Sequence, residues 1–157
     1  MTNSCMMCGR FDIEIVNAAT GAVVGRLHIK NQLTEINRTV RARMLMGDFS
    51  GPLDALAVKY FAFGTDGAAA SAAQTKLGAE QFRKQLTQKN ESGGTVTTAV
   101  SLQTNEANFL IREIGVFGGA DASGAADSGT MLARTTVNID KNDNLVINIT
   151  RTDICEI

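Results

Sequence analysis

Alternating apolar and polar residues open the chain with the pattern of a half-buried β-strand. From Phe11 to Val16 apolar residues alternate with acidic ones, which is the period of a strand with one buried face. Asn17 to Gly21 has the composition of a turn, and Val23 to Lys30 resumes the two-residue period. These residues predict a β-hairpin with one apolar face.

The period then changes to that of a helix. Apolar residues recur at steps of three and four at Leu33, Ile36, Val40 and Met44. This spacing places them on one face of an α-helix, so we predict one amphipathic helix over roughly Gln32 to Met46, ending at Gly47. Asn31 or Thr34 can cap its start, because either side chain can accept a hydrogen bond from a free backbone N–H.

The remaining chain is predicted to form short strands joined by turns. Strands are expected at Leu56 to Phe63, Thr95 to Leu102, Phe109 to Phe117, Met131 to Ile139 and Leu145 to Ile154. Thr75 to Leu86 is also interpreted as a strand, with a helix as the alternative, because Glu80 and Arg83 have the spacing of a helical pair. Lys89 to Gly94 is interpreted as the loop of a hairpin, and Gly118 to Gly129 as a long loop of the kind that moves or orders on a partner. The pattern predicts a mainly β fold: an antiparallel β-sandwich of about eight strands with one packed helix.

Length and composition fit one globular domain. The 157 residues are 44% hydrophobic and 20% charged, which is typical of a folded chain that can bury a core of its own. We expect a single β-sandwich domain, 1–157, with a short flexible N-terminal segment, 1–9. Neither a signal peptide nor an apolar run of the ~20 residues that a membrane helix needs is seen.

Charge and aromatic content narrow the classes of partner. Fifteen Lys and Arg residues against 16 Asp and Glu give a net charge of −1, which argues against a nucleic-acid or membrane-surface binder. The arginines of the predicted helix are interpreted as a solvated face or an intersubunit contact. Trp is absent and Tyr60 is the single tyrosine, which argues against a stacking platform for carbohydrate.

Three cysteines lie near the chain ends. Cys5 and Cys8 form a CxxC, and Cys155 stands close to the other end. Reduced thiols are the favoured interpretation, a disulfide within or between chains is the second, and a metal site using His28 is the third. We expect no cofactor and no bound metal.

Residue types for catalysis are scarce. The chain has one histidine, His28, within a predicted strand, and no nucleophile-elbow, P-loop or dinucleotide-binding motif. Two carboxylates could meet in the fold, but a glycosidase cleft also needs aromatic side chains. The sequence therefore predicts a protein that is not an enzyme and takes no small-molecule substrate.

Two adjacent charges interrupt the most apolar strand. Arg112 and Glu113 lie within Phe109 to Phe117, and adjacent strand residues face opposite sides of a sheet. Either one of them points inward and needs a partner, or one reaches solvent at a sheet edge. The candidate partners are Glu80, Arg83 and Arg134.

These segments also resemble a known family. Tyr60 to Gly67 (YFAFGTDG), Thr75 to Arg83 (TKLGAEQFR), Phe109 to Phe117 (FLIREIGVF) and Leu132 to Arg134 (LAR) follow one another. Their order is similar to that in the attachment domains of bacteriophage tail-fibre and baseplate-associated proteins. The resemblance covers about half of the chain, roughly Leu56 to Arg134.

The resemblance implies a virion structural protein that binds copies of itself and other phage tail or baseplate proteins. The chain lacks the shaft of a fibre and opens with a hairpin and helix, which favours a baseplate, adaptor or collar subunit. It would be made in the bacterial host cytoplasm and end in the virion. The alternatives are a capsid decoration or head-fibre protein, and a soluble ligand-binding or hydrolytic β-sandwich.

Overall fold

The computed structural model describes residues 7–50 and 53–155. Its elements in chain order are β1 (Met7–Asn17), β2 (Val23–Lys30), β3 (Gln32–Leu33), α1 (Glu35–Leu45), a 3₁₀ turn (Leu53–Leu56), β4 (Val58–Gly64), β5 (Glu80–Gln85), β6 (Gln88–Ser92), β7 (Thr95–Leu102), β8 (Leu110–Gly118), β9 (Thr130–Asp140) and β10 (Leu145–Cys155). The protein is mainly β, as its sequence predicts, with ten strands in this part of the chain in place of about eight.

The strands form two antiparallel five-stranded sheets. The first sheet has the order β2-β1-β10-β7-β6, and the second has the order β3-β9-β8-β4-β5. Phe11 and Ile13 of the first sheet and Phe61 and Phe63 of the second sheet are at most 1% exposed and belong to one core. Phe11 and Phe61 meet edge to face, with ring centroids 5.7 Å apart. The predicted β-sandwich is confirmed.

The first hairpin matches its prediction. Strands β1 and β2 pair along Arg10↔Lys30 to Val16↔Val23, and Gly21 in the turn has a φ of 71°, where a Cβ would be strained. Strand β1 begins at Met7, inside the segment 1–9 that the sequence suggests is flexible. Residues 1–6 lie outside the described part of the chain.

The helix is shorter than its prediction. Gln32 and Leu33 pair with Arg134 and Ala133 as strand β3, which leaves Thr34 as the N-cap. The Thr34 hydroxyl accepts from the Asn37 N–H at 3.4 Å and donates to the Met131 carbonyl at 2.8 Å. Pairing with β9 therefore overrides the helical period at the first residues.

One predicted connection is wrong. Lys89 to Gly94 is not a loop, because Gln88–Ser92 forms strand β6 and only Gly93 and Gly94 make the turn. Both glycines have positive φ, as a two-residue hairpin turn requires. Strand β5 is also shorter than the predicted Thr75 to Leu86, and it lies in the second sheet while β6 lies in the first. The chain changes sheets between them.

The cysteine prediction falls mostly outside the described residues. Cys5 lies there entirely, and so do the side chains of Cys8 and Cys155. The backbone of β1 pairs antiparallel with that of β10, with Met7 opposite Cys155 and Cys8 opposite Ile154. The state of the three thiols stays a prediction.

Candidate functional site

On the outer face of the second sheet, charged residues and small residues form two rows that run across the strands. Arg83, Ala62, Gly115 and Arg134 are successive cross-strand neighbours over β5, β4, β8 and β9. Glu80, Gly64 and Glu113 form a second row across β5, β4 and β8. Because Ala62 alternates with the core residues Phe61 and Phe63, its face points away from the core. We call Glu80, Arg83, Glu113 and Arg134 the clamp.

Glu113 and Arg134 form a fully buried ion pair. Both side chains are 0% exposed, and the Arg134 Nε donates to the Glu113 Oε2 at 2.8 Å. The Glu113 carboxylate also accepts from the Gly78 N–H at 3.0 Å and from the Ala79 N–H at 2.8 Å. Three donors thus surround one carboxylate, which offsets the cost of burying its charge.

Arg134 extends the same network into the loop 65–79. Its Nη1 donates to the Ala68 carbonyl at 2.8 Å and to the Gln74 Oε1 at 3.4 Å. Its Nη2 donates to the Asp66 carbonyl at 3.3 Å. The guanidinium therefore binds the loop at three residues while its Nε binds Glu113. This ion pair joins the loop to the centre of the sheet.

Glu80 and Arg83 form the second ion pair of the clamp. The Arg83 Nε and Nη2 donate to the two Glu80 oxygens at 2.6 and 2.9 Å, in a bidentate arrangement. The Arg83 Nη1 donates to the Ser123 and Ser128 carbonyls at 3.1 and 2.9 Å. Its guanidinium lies 4.5 Å from the Phe117 ring centroid, a cation–π contact.

The loop within Gly118 to Gly129, which the sequence suggests would move or order on a partner, is therefore tied to the sheet. Arg83 binds Ser123 and Ser128 within it, and the Asp127 N–H donates to the Glu80 Oε2 at 3.2 Å. Asp127 has a φ of 58°, in the left-handed region. The loop is held by hydrogen bonds from one buried ion pair.

Two glycines make room for the clamp: Gly64 of the segment Tyr60 to Gly67 and Gly115 of the segment Phe109 to Phe117. A Cβ on Gly64 would lie 2.5 Å from the Ala79 carbonyl oxygen, and one on Gly115 would lie 2.8 Å from the Leu77 Cδ2. Leu77 is 2% exposed and packs with Ala62, Phe117 and Met131 in a small apolar cluster outside the main core. The loop backbone therefore requires glycine at position 64, whereas a Cβ at position 115 would have to displace the Leu77 side chain.

The structure brings together four of the five residues that the sequence singles out. Of the adjacent charges, Glu113 points into the protein and Arg112 is exposed. Glu113 takes Arg134 as its partner, while Glu80 and Arg83 pair with each other. Because the clamp is buried, it holds the fold and offers no side chain to a partner at the surface.

A third buried arginine was not predicted from the sequence. Arg151 is 2% exposed, and its Nη1 and Nη2 lie 2.5 and 2.6 Å from the two Asp153 oxygens. Both residues continue the two-residue period of the core residues Ile147 and Ile149 on β10. That period was the available signal, since it places polar residues at inward positions.

An exposed apolar surface follows the helix. Met44, Leu45, Met46 and Phe49 are 42%, 88%, 83% and 62% exposed. We call these four residues the helix-end patch. Met44 belongs to the predicted apolar stripe, but the consecutive apolar residues 44–46 exceed what one helix face can bury. That run was the signal for an exposed surface.

The described residues show neither a metal-ligand cluster nor a helix that could span a membrane. Over residues 7–50 and 53–155, no group of three His, Cys, Asp or Glu residues is placed to hold a metal ion. His28 lies on an exposed strand edge, with its Nδ1 2.5 Å from the Asp12 Oδ1. Within the same ranges, no helix has the length and apolar character to span a membrane.

Replacing Glu113 by Gln should unfold the clamp. The variant keeps the side-chain volume but leaves Arg134 without its buried counter-charge and points an amide at backbone N–H donors. We expect the free energy of unfolding to fall by about 3–5 kcal/mol, measured by urea denaturation. The matched control is Arg112→Gln, which alters the adjacent exposed charge and should change it by less than about 0.5 kcal/mol. Losses below about 0.5 kcal/mol in both variants would contradict the buried pair.

Comparison with known proteins adds no relative: no family model, curated protein or solved structure matches this chain. The resemblance to phage tail proteins is carried by the motif residues alone. In this structure those residues form the clamp and the glycines that accommodate it. The geometry assigns them a structural role.

Proposed function

We propose that the protein is a non-enzymatic structural component of a tailed-phage virion. It would serve as a baseplate, adaptor or collar subunit and attach tail components through protein–protein contacts, including contacts with its own copies. The motif order supports a tail protein, and the buried clamp supports a rigid module. The helix-end patch supplies the surface for assembly.

The helix-end patch is the observation that carries this proposal. Leu45 and Met46 expose more than four fifths of their side chains next to Met44 and Phe49. Contiguous apolar surface beside a polar rim is typical of protein–protein interfaces, and methionine adapts its shape to different partners. Arg38 and Arg43 on the same helix are exposed and supply such a rim.

The clamp explains why such a module can present a fixed surface. The Glu35 N–H at the start of α1 donates to the Ala72 carbonyl at 2.8 Å, so the clamped loop holds the helix. The buried Asn37 Nδ2 donates to the Leu132 carbonyl of β9 at 2.9 Å. A helix fixed at these points lowers the conformational entropy lost on assembly.

Self-association should depend on the helix-end patch. We expect light scattering to give a mass above the 16.7 kDa of one chain, because apolar surface favours burial between copies. The double variant Leu45→Ser, Met46→Ser should lower the mass to that of a monomer. The control Val24→Ser removes a residue that is 60% exposed on the edge strand β2 and should leave the mass unchanged. A wild-type monomer at every concentration would contradict the assembly surface.

Location in the particle tests the assignment to the tail. Antibody labelling of intact virions from the source phage, imaged by electron microscopy, should place the protein at the baseplate, tail or neck. Label confined to the capsid would overturn this assignment and favour a decoration or head-fibre protein. A purified protein with measurable turnover of a substrate would overturn the non-enzymatic role.

A further inference from the structure

Lys141, which follows strand β9, is a buried amine outside both the clamp and the helix-end patch. The residue is 2% exposed. Its Nζ donates to the Asn108 Oδ1 at 2.8 Å and to the Asn142 carbonyl at 2.9 Å. Both acceptors are uncharged, whereas a buried ammonium is ordinarily paired with a carboxylate. The structure therefore sets an amine nucleophile directly against a side-chain amide.

The turn before strand β8 fixes the position of Asn108. The Phe109 N–H donates to the Ala107 carbonyl at 2.8 Å, which closes a tight turn around Asn108. Ala107 has a φ of 51°, a left-handed conformation that is costly for a residue other than glycine. The Lys141 N–H donates to the Phe109 carbonyl at 3.3 Å. The backbone therefore holds Asn108 beside Lys141.

The reacting atoms of this pair are already close. Because a C=O bond is about 1.23 Å long, the Asn108 Cγ lies within about 4 Å of the Lys141 Nζ. Attack on a carbonyl carbon begins from a separation of about 3–3.5 Å. Asn108 is exposed, so its amide can rotate to bring the carbon toward Nζ. The same exposure allows a small leaving group to reach solvent.

The surroundings of Lys141 favour the neutral amine that such an attack needs. Burial lowers the pKa of Lys141, although the carboxylates of Glu106 and Asp143 raise it. A lower pKa makes the proton easier to remove than it is in water. Glu106, two residues before Asn108, is the nearby group that can accept this proton.

Glu106 is held as a carboxylate. Burial acts to raise the pKa of Glu106, but hydrogen bonds from the Gln103 N–H and the Lys84 Nζ and the charges of Lys84 and Lys141 lower it. Among the described residues, both of these donors reach the Glu106 Oε2. The Oε1 is thus left for a proton from Lys141.

We propose that Lys141 and Asn108 join through an intramolecular amide bond, with Glu106 as the proton acceptor. The Lys141 ammonium gives one proton to Glu106, and the free amine attacks the Asn108 Cγ. The Cγ–Nδ2 bond then breaks, and Nδ2 takes a second proton from Nζ and leaves as ammonia. Ammonia recovers the proton held by Glu106, which restores the carboxylate. No oxidant, metal or other reactant enters the step.

The cross-link would fasten one end of the sandwich. It joins the loop that enters β8 to the connection between β9 and β10, where the chain passes from the second sheet to the first. Its two residues are 33 positions apart. A covalent bond across such a loop lowers the conformational entropy of the unfolded chain. This inference is independent of the proposed assembly function.

Mass spectrometry of the purified full chain tests the bond. The intact mass should be lower than that of the sequence by one ammonia molecule. Trypsin should fail to cleave after Lys141 and should release residues 90–112 joined to residues 135–151. A chain of full mass that is cleaved after Lys141 would overturn the proposal. So would an ammonia loss that maps to a cyclic imide on one asparagine while Lys141 stays free.

Variants at asparagine identify the amide that reacts. Asn108→Ala removes the electrophile from an exposed position and should leave the chain at the full mass of its own sequence. The matched control is Asn144→Ala, which alters another exposed asparagine in the connection between β9 and β10 and should lose ammonia like the wild type. Loss of ammonia that persists in Asn108→Ala would overturn the cross-link to Asn108.

A variant of Glu106 tests the proton acceptor. Glu106→Gln keeps the side-chain volume but lacks the base, and it should slow cross-linking by about a hundredfold or more. The control Asp143→Asn removes the other carboxylate that acts on Lys141 and should keep the wild-type extent of cross-linking. Alkaline buffer, which deprotonates Lys141 without a base, should restore the reaction in Glu106→Gln and not in Asn108→Ala. Equal cross-linking of Glu106→Gln and wild type at neutral pH would overturn the role of Glu106.

Discussion

The ion pair between Glu113 and Arg134 joins strands β8 and β9 to the loop 65–79 on the outer face of the second sheet. A sandwich ordinarily presents that face to water, but here a loop covers it. The loop in turn accepts a hydrogen bond from the first N–H of helix α1. The position of the helix determines where the helix-end patch lies. A single buried pair thus connects the sheet to the surface that we assign to assembly.

Burying these charges is tolerated because both groups have several hydrogen-bond partners. Glu113 accepts from two backbone N–H groups besides Arg134, and Arg134 donates to two carbonyls and an amide oxygen besides Glu113. An apolar pair could fill the same volume, but it could not bind the backbone of an irregular loop. Buried ionic groups of this kind contribute more to the choice of one conformation than to net stability. The clamp therefore accounts for the order of two long loops that have few apolar residues to bury.

Local patterns predicted the parts of the fold that depend on local chemistry. The alternation from Phe11 to Val16, the turn at Gly21 and the charges inside β8 each indicate their structure, because a strand has two faces and a buried charge needs a partner. The change of sheet between β5 and β6 has no local signal, since it depends on which neighbouring edges are open. The pairing Glu113–Arg134 spans 21 positions, so the sequence offered three candidate partners and only the fold selects one. The sequence did not predict that Arg151 is buried. Its inward position follows from the two-residue period of β10, which continues from the apolar residues Ile147 and Ile149 into polar ones.

Hydrogen exchange at the Gly78 and Ala79 amides tests most directly whether Glu113 holds the outer loop. Their N–H groups lie in a segment without regular strand structure and donate to the Glu113 carboxylate. In the wild-type chain we expect both amides to exchange as slowly as those of the neighbouring strand β8, because the loop opens only with the clamp. Rapid exchange at both positions in a chain whose β8 amides remain protected would contradict the central role of the Glu113–Arg134 pair.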